Sequence, residues 1–106
     1  MMSYEDVLSI FSEYLEEDSD VEALETKHGY VILTWDRHME DWGYMVSCWT
    51  TEVLFEELLE SAMTFYERGM RKMIPDRDDT AELTQDQKLQ LESMKDHYMK
   101  MKEGFQ

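Results

Sequence analysis

Tyr4, Val7, Leu8, Phe11, Tyr14 and Leu15 follow one another at offsets of 0, 3, 4, 7, 10 and 11. That spacing is one apolar stripe of an amphipathic helix and predicts a helix over residues 4–17. Ser3 stands before the stripe with Asp6 three positions on, an acidic form of the capping box that marks a helix start. From Val21 the period changes. Residues 22–27 are short, mixed and weakly strand-like, and Lys27-His28-Gly29 reads as a hairpin turn with Gly29 supplying a positive φ. Tyr30-Val31-Ile32-Leu33-Thr34-Trp35 is β-branched and aromatic and predicts a strand. A polar loop over residues 36–41 separates it from a third strand over residues 43–49.

Thr50 or Thr51 then caps a long helix, with Glu52 placed at the positive end of its dipole. Phe55, Leu58, Leu59, Ala62, Phe65, Tyr66, Gly69, Met70 and Met73 keep helical spacing over residues 51–73, until Pro75 and the acidic residues after it stop the helix. A last helix opens at Thr84, with Gln87 at capping-box spacing. Its apolar positions Leu91, Met94, Tyr98, Met101 and Phe105 alternate in steps of three and four, a narrow seam of coiled-coil type. The expected fold is therefore α+β over residues 1–106 as a single compact domain. An N-terminal helix leads into a three-stranded antiparallel meander, and two C-terminal helices follow.

The sheet carries more apolar surface than one covered face needs. Tyr30 and Ile32 oppose Val31, Leu33 and Trp35 on the middle strand, and Tyr44, Val46 and Cys48 oppose Met45 and Trp49 on the third. A sheet covered on one side alternates apolar with polar residues. Either helices cover both faces within the chain, or one face meets a second copy or another protein. The two-sided sheet and the seam of the last helix together point to a symmetric homodimer. The chain also has 10 methionines, a residue that fills irregular gaps and adapts to varied partners. They read as core filling, with Met73, Met94, Met99 and Met101 as the ones able to line a docking groove.

Charge changes the picture most. The 106 residues contain 25 acidic and 10 basic side chains, a net −15, which argues against direct contact with nucleic acid or an anionic membrane. Residues 1–60 hold 16 acidic and 2 basic side chains, whereas residues 61–106 hold 9 and 8. Glu16, Glu17, Asp18 and Asp20 crowd the C-terminal end of the first helix, where its dipole disfavours anions by ~0.3–1 kcal/mol each. Glu52, Glu56 and Glu60 stack at i, i+4 and i+8 on the long helix with Glu57 beside them, each like-charge pair costing ~0.2–0.5 kcal/mol. Such a ladder rises ~6 Å per step and can present carboxylates to a basic groove as a nucleic-acid backbone presents phosphates. The bland alternative is a solvated face that keeps the protein soluble.

Other chemistry is sparse. Asp36, His38, Glu40 and Asp41 are the one compact set of metal-type ligands, confined to a hairpin loop that supplies converging geometry poorly. His28 and His97 join it by no spacing rule. Cys48 lies within an apolar strand, which predicts a buried and inert thiol, and a single cysteine excludes an internal disulfide. Phosphate-binding glycine loops, GxSxG and HExxH patterns are absent, so no catalytic centre, metal or cofactor is expected. No secretion signal is visible at the N-terminus and no run is long enough for a membrane span, which suggests a cytoplasmic protein.

In size, charge and compactness the chain resembles the small acidic inhibitors of phages and mobile elements, including DNA-mimicking anti-restriction and anti-CRISPR proteins. In its opening order of helix and strands it is similar to small acidic dimeric secretion chaperones, which return to strands where this chain continues into helix. Two functions follow as expectations. The first is a non-enzymatic inhibitor or regulator that engages a basic, nucleic-acid-binding protein through Glu16, Glu17, Asp18, Asp20, Glu52, Glu56, Glu57 and Glu60. The second is an acidic dimeric chaperone or adaptor that holds a protein partner on an apolar sheet face. A small enzyme is a third class that the sequence gives little reason to favour.

Overall fold

A computed structural model of the chain describes residues 2–72 and 82–105. It contains α1 (Tyr4–Ile10), α2 (Ser12–Glu17), β1 (Val21–Thr26), β2 (Gly29–Asp36), β3 (Asp41–Cys48), α3 (Thr51–Lys72) and α4 (Gln85–Glu103). This is the expected mixed α+β order of helix, three-stranded antiparallel sheet and two C-terminal helices. The predicted end of the long helix at Met73, its stop at residues 74–79 and the docking role weighed for Met73 lie outside the described residues.

Local chemistry sets the element boundaries. The Ser3 hydroxyl accepts from the Asp6 amide at 3.1 Å while the Asp6 carboxylate accepts from the Ser3 amide at 2.9 Å, a closed capping box. Thr84 and Gln87 close a second one at 3.2 and 2.9 Å. The Gln87 side-chain amide also donates to the Met70 carbonyl, fastening the start of α4 to the end of α3. Thr50, not Thr51, caps α3, since its hydroxyl accepts from the Val53 amide. The first helix departs from the expected single element at Phe11 (φ −98°, ψ 15°). The break falls between Ser9 and Ser12, residues that favour caps and turns over helix interiors. It brings Ile10 into the core and leaves Leu8 half exposed, whereas the stripe predicted the reverse for these two positions.

The strands pair in sequence order β1-β2-β3. Ala23 faces Ile32 and Val46 faces Ile32 from the other side, so the register is centred on the middle strand. Pairing shifts between Thr34 and Trp35, where Gly43 is the extra residue on β3. Pairing runs out to Asp36 and Asp41, which shortens the predicted loop to residues 37–40. There the Asp36 carboxylate accepts from the amides of His38 and Met39, and Glu40 takes the left-handed conformation at φ 52°.

All helices lie on one face of the sheet. Val21, Ile32 and Cys48 point toward them and are buried with Phe11, Phe55 and Leu58 in one core. Phe11 joins three elements: its ring lies 5.2 Å from Phe55 of α3 and is stacked 4.9 Å from Tyr98 of α4. The seam of α4 is thereby spent within the chain, with Tyr98 buried and Leu91, Met94 and Met101 half-buried. No described residue outside the sheet covers its opposite face, and Leu24, Trp42 and Met45 on it are exposed. No helix among the described residues is long and apolar enough to cross a membrane.

Candidate functional site: an acidic cleft between sheet and helix

The corner after α2, the core-side end of the sheet and the middle of α3 enclose a cleft of about 890 Å³. Its walls include Asp18 and Asp20 from the corner and Glu57 and Glu60 from α3. Four of the eight acidic residues singled out from sequence thus meet at one opening, although 37 positions separate Asp20 from Glu57. Val21, Thr34, Val46 and Phe65 contribute to its floor, and the two-thirds-exposed ring of Tyr44 overhangs it. Arg68 and Lys72 also line it, on the part of α3 nearer its C-terminus.

The carboxylates differ in what already holds them. Asp20 is paired with Arg37 at 3.0 Å, and the same guanidinium donates to the Ser19 hydroxyl. Asp18 accepts from the Tyr14 hydroxyl at 2.9 Å. Burial pushes that hydroxyl well above the ordinary phenol range, and the Asp18 hydrogen bond raises it further. The Tyr66 pKa is raised as well, first by burial and then by Glu17 and Tyr98 close by. Asp18 is therefore an anchor of the aromatic cluster as well as a surface anion. Glu52 is also engaged: the Lys102 ammonium lies 2.8 Å from its carboxylate and 5.0 Å from the centre of the Phe55 ring. The expected ladder is thus reduced at its first rung. Glu56 and Glu60 are exposed and Glu57 is half-buried at the cleft, and these three carry no hydrogen bond or ion pair among the described residues. Glu16 is exposed on α2, away from the cleft walls.

The loop ligand set has other work. Asp36 holds the turn amides and Asp41 accepts from the Trp42 amide. No group of three or more His, Cys, Asp or Glu side chains among the described residues is arranged to hold a metal. Cys48 is buried, and desolvation, then the nearby Glu57 charge, push its thiol pKa up, which disfavours the nucleophilic thiolate.

Sequence reasoning missed the aromatic part of the cleft. Tyr44 carried a signal, since it alternates onto the covered face with Val46 and Cys48, but its position beyond the helical cover depends on the length of the strand relative to α3. Tyr14 and Tyr66 sat in core stripes and gave no sign that their hydroxyls would reach acidic residues. Comparison of the chain with protein-family models, with curated proteins and with solved structures found no match.

Proposed function

We propose that this chain is a small, cytoplasmic, non-enzymatic inhibitor or regulator that engages a basic nucleic-acid-binding protein, presenting carboxylates where that protein holds phosphates. The observation that supports it is the convergence of Asp18, Asp20, Glu57 and Glu60 on one cleft, with unpaired Glu56 beside it on α3. Like charges drawn together this way disfavour the free fold and favour a cationic occupant. Lys and Arg side chains entering the opening meet Glu57 and Glu60, and Tyr44 offers a ring face for cation–π contact.

The test begins with a partner captured at low salt from a lysate and its affinity measured with increasing salt and with competing duplex DNA. Affinity is expected to fall steeply with salt and to be lost to the competitor. Glu56→Lys with Glu60→Lys is expected to weaken binding about 100-fold or more while leaving the buried α3 face of Leu54, Phe55, Leu58 and Ala62 untouched. Glu52 is left native because reversing it would break its pair with Lys102. Affinity unchanged by salt and by the double reversal would overturn the proposal.

The second reading, an adaptor for an apolar client segment, is favoured by the uncovered sheet face with Leu24, Trp42 and Met45. It predicts binding that is insensitive to salt and lost on Trp42→Ala.

A further inference from the structure

The outer face of the sheet has a composition unlike the rest of the molecule. The strand register places Glu22, Leu24 and Thr26 of β1, Val31, Leu33 and Trp35 of β2, and Trp42, Met45 and Ser47 of β3 on it. Glu22 at the edge is its one charged strand position, in a chain where 25 of 106 residues are acidic. Depletion of charge combined with aromatic residues and methionine is the composition of interface cores. The two indoles are already set against each other, with centroids 5.1 Å apart at 85°, so little side-chain ordering is left for binding to require.

We infer that this face pairs with the same face of a second copy, forming a two-sheet sandwich with the helices outside. Self-complementarity is what a two-fold contact demands, and a face whose one charged strand residue, Glu22, lies at its edge meets its own copy with little repulsion. Leu24, Trp35, Trp42 and Met45 are 43, 37, 44 and 62 % exposed. With aromatic side chains offering ~150–250 Å² each and the half-buried Val31 and Leu33 between them, the face supplies roughly 600 Å² per copy. The total of about 1,200 Å² is the lower end of stable interfaces.

Charge selects the orientation. Each copy carries a net −15, and a contact through the helical layer would set Glu56 and Glu60 of one copy against those of the other. Packed sheet to sheet at ~10 Å, with each helical layer ~10 Å further out, the acidic helices stand about 30 Å apart. That is several times the ~8 Å screening length at physiological salt. The four carboxylates of the cleft lie on the helical side of the sheet, and of the outer-face residues Trp35 is shared, since it also lines the cleft.

Sedimentation equilibrium of the full chain, from 5 to 500 µM protein and at 50 and 500 mM NaCl, tests it. The expected result is a shift from 12.8 kDa toward twice that mass, with tighter association at the higher salt. Met45→Lys is expected to raise the dissociation constant about 100-fold or more by burying an unpaired charge. Because this change lowers the net negative charge, added repulsion cannot explain the loss. Leu89→Lys, at an exposed apolar position on α4, is expected to leave association unchanged. Acrylamide quenching in a Trp49→Phe background gives a second readout, and quenching of Trp35 and Trp42 should fall about two-fold on association. A monomer mass throughout, a dimer that survives Met45→Lys, or a monomer whose two indoles are shielded only by an added apolar peptide would each overturn the inference.

Discussion

At Gly29 the backbone takes φ +129°, and a Cβ there would lie 2.7 Å from the Cys48 carbonyl oxygen. Both conflicts are with main chain beside the turn of the first hairpin, so no side chain can swing aside to relieve them. Gly29→Ala is expected to destabilise the fold by about 2–3 kcal/mol, read as a lower urea midpoint at unchanged slope. Gly69 is the opposite case. It sits exposed in α3, where a Cβ would meet nothing within 4 Å, and Gly69→Ala should raise stability by about 0.5–1 kcal/mol. Tyr14 adds a pH dependence. Its pKa is raised in the folded state, so its contribution is complete below the unfolded value near 10. It is lost above that pH as the unfolded chain ionises first, by about 1.4 kcal/mol per pH unit. Urea titrations between pH 8 and 11.5 should show this decline, and Tyr14→Phe should make it shallower. The features legible in the sequence at this scale were local ones. Both capping boxes join residues three positions apart, and Gly29 announces its own turn. The approach of Glu17 to Tyr66 was not legible, because the two stand 49 positions apart and each looked complete where it stood.

Among the elements, α4 is the most lightly held. Tyr98 is its one buried residue, and the helix is fastened at its ends by Gln87 to the Met70 carbonyl and by Lys102 to Glu52. The Lys102 ammonium is both paired and seated over the Phe55 ring, and its side chain is 15 % exposed. Lys102→Ala is expected to cost about 1–2 kcal/mol and to speed proteolytic cleavage within α4 more than within α3. A peptide map of the first cuts would show whether α4 is released before the rest unfolds. Helical and strand periodicity made the order of helix, three strands and two helices visible in the sequence, since apolar stripes at 3.6 and alternation at 2 are properties of neighbouring residues. The break at Phe11 was not visible, because the 4–17 stripe accommodates either register until Ile10 is seen against α3. Nor could alternation say which side of the sheet was covered. Val31, Leu33 and Trp35 read as core as convincingly as Tyr30 and Ile32, and only the docking of all helices on one side separates them.

For the whole molecule, the imbalance of charge is a term in stability as well as in recognition. Much of the net −15 falls on α2, the corner after it and the start of α3, and Asp18, Asp20, Glu57 and Glu60 of this set line one cleft. Salt screens their mutual repulsion, so the thermal midpoint followed by circular dichroism should rise between 20 and 300 mM NaCl. A midpoint that stays flat or falls would show that Asp18, Asp20, Glu57 and Glu60 do not strain the fold. The excess in residues 1–60 could be counted from sequence, but its concentration at one opening depends on a three-dimensional approach of α3 to the corner that spacing along one helix cannot report.

Lys27 and Arg37 are the only basic residues among the first 60, and they occupy the two hairpin connections. A protease that cuts after lysine and arginine therefore finds nothing to recognise along α1, α2 or any strand, and its two targets in this half are the tips of the sheet. Arg37 is held against Asp20 and Ser19, whereas Lys27 is exposed. The first tryptic nick in this half should fall after Lys27, leaving β1 and β2 still paired along their full register. Such a nicked molecule would migrate intact in a native gel and part into two fragments only in detergent, a two-piece complex made by a single cut.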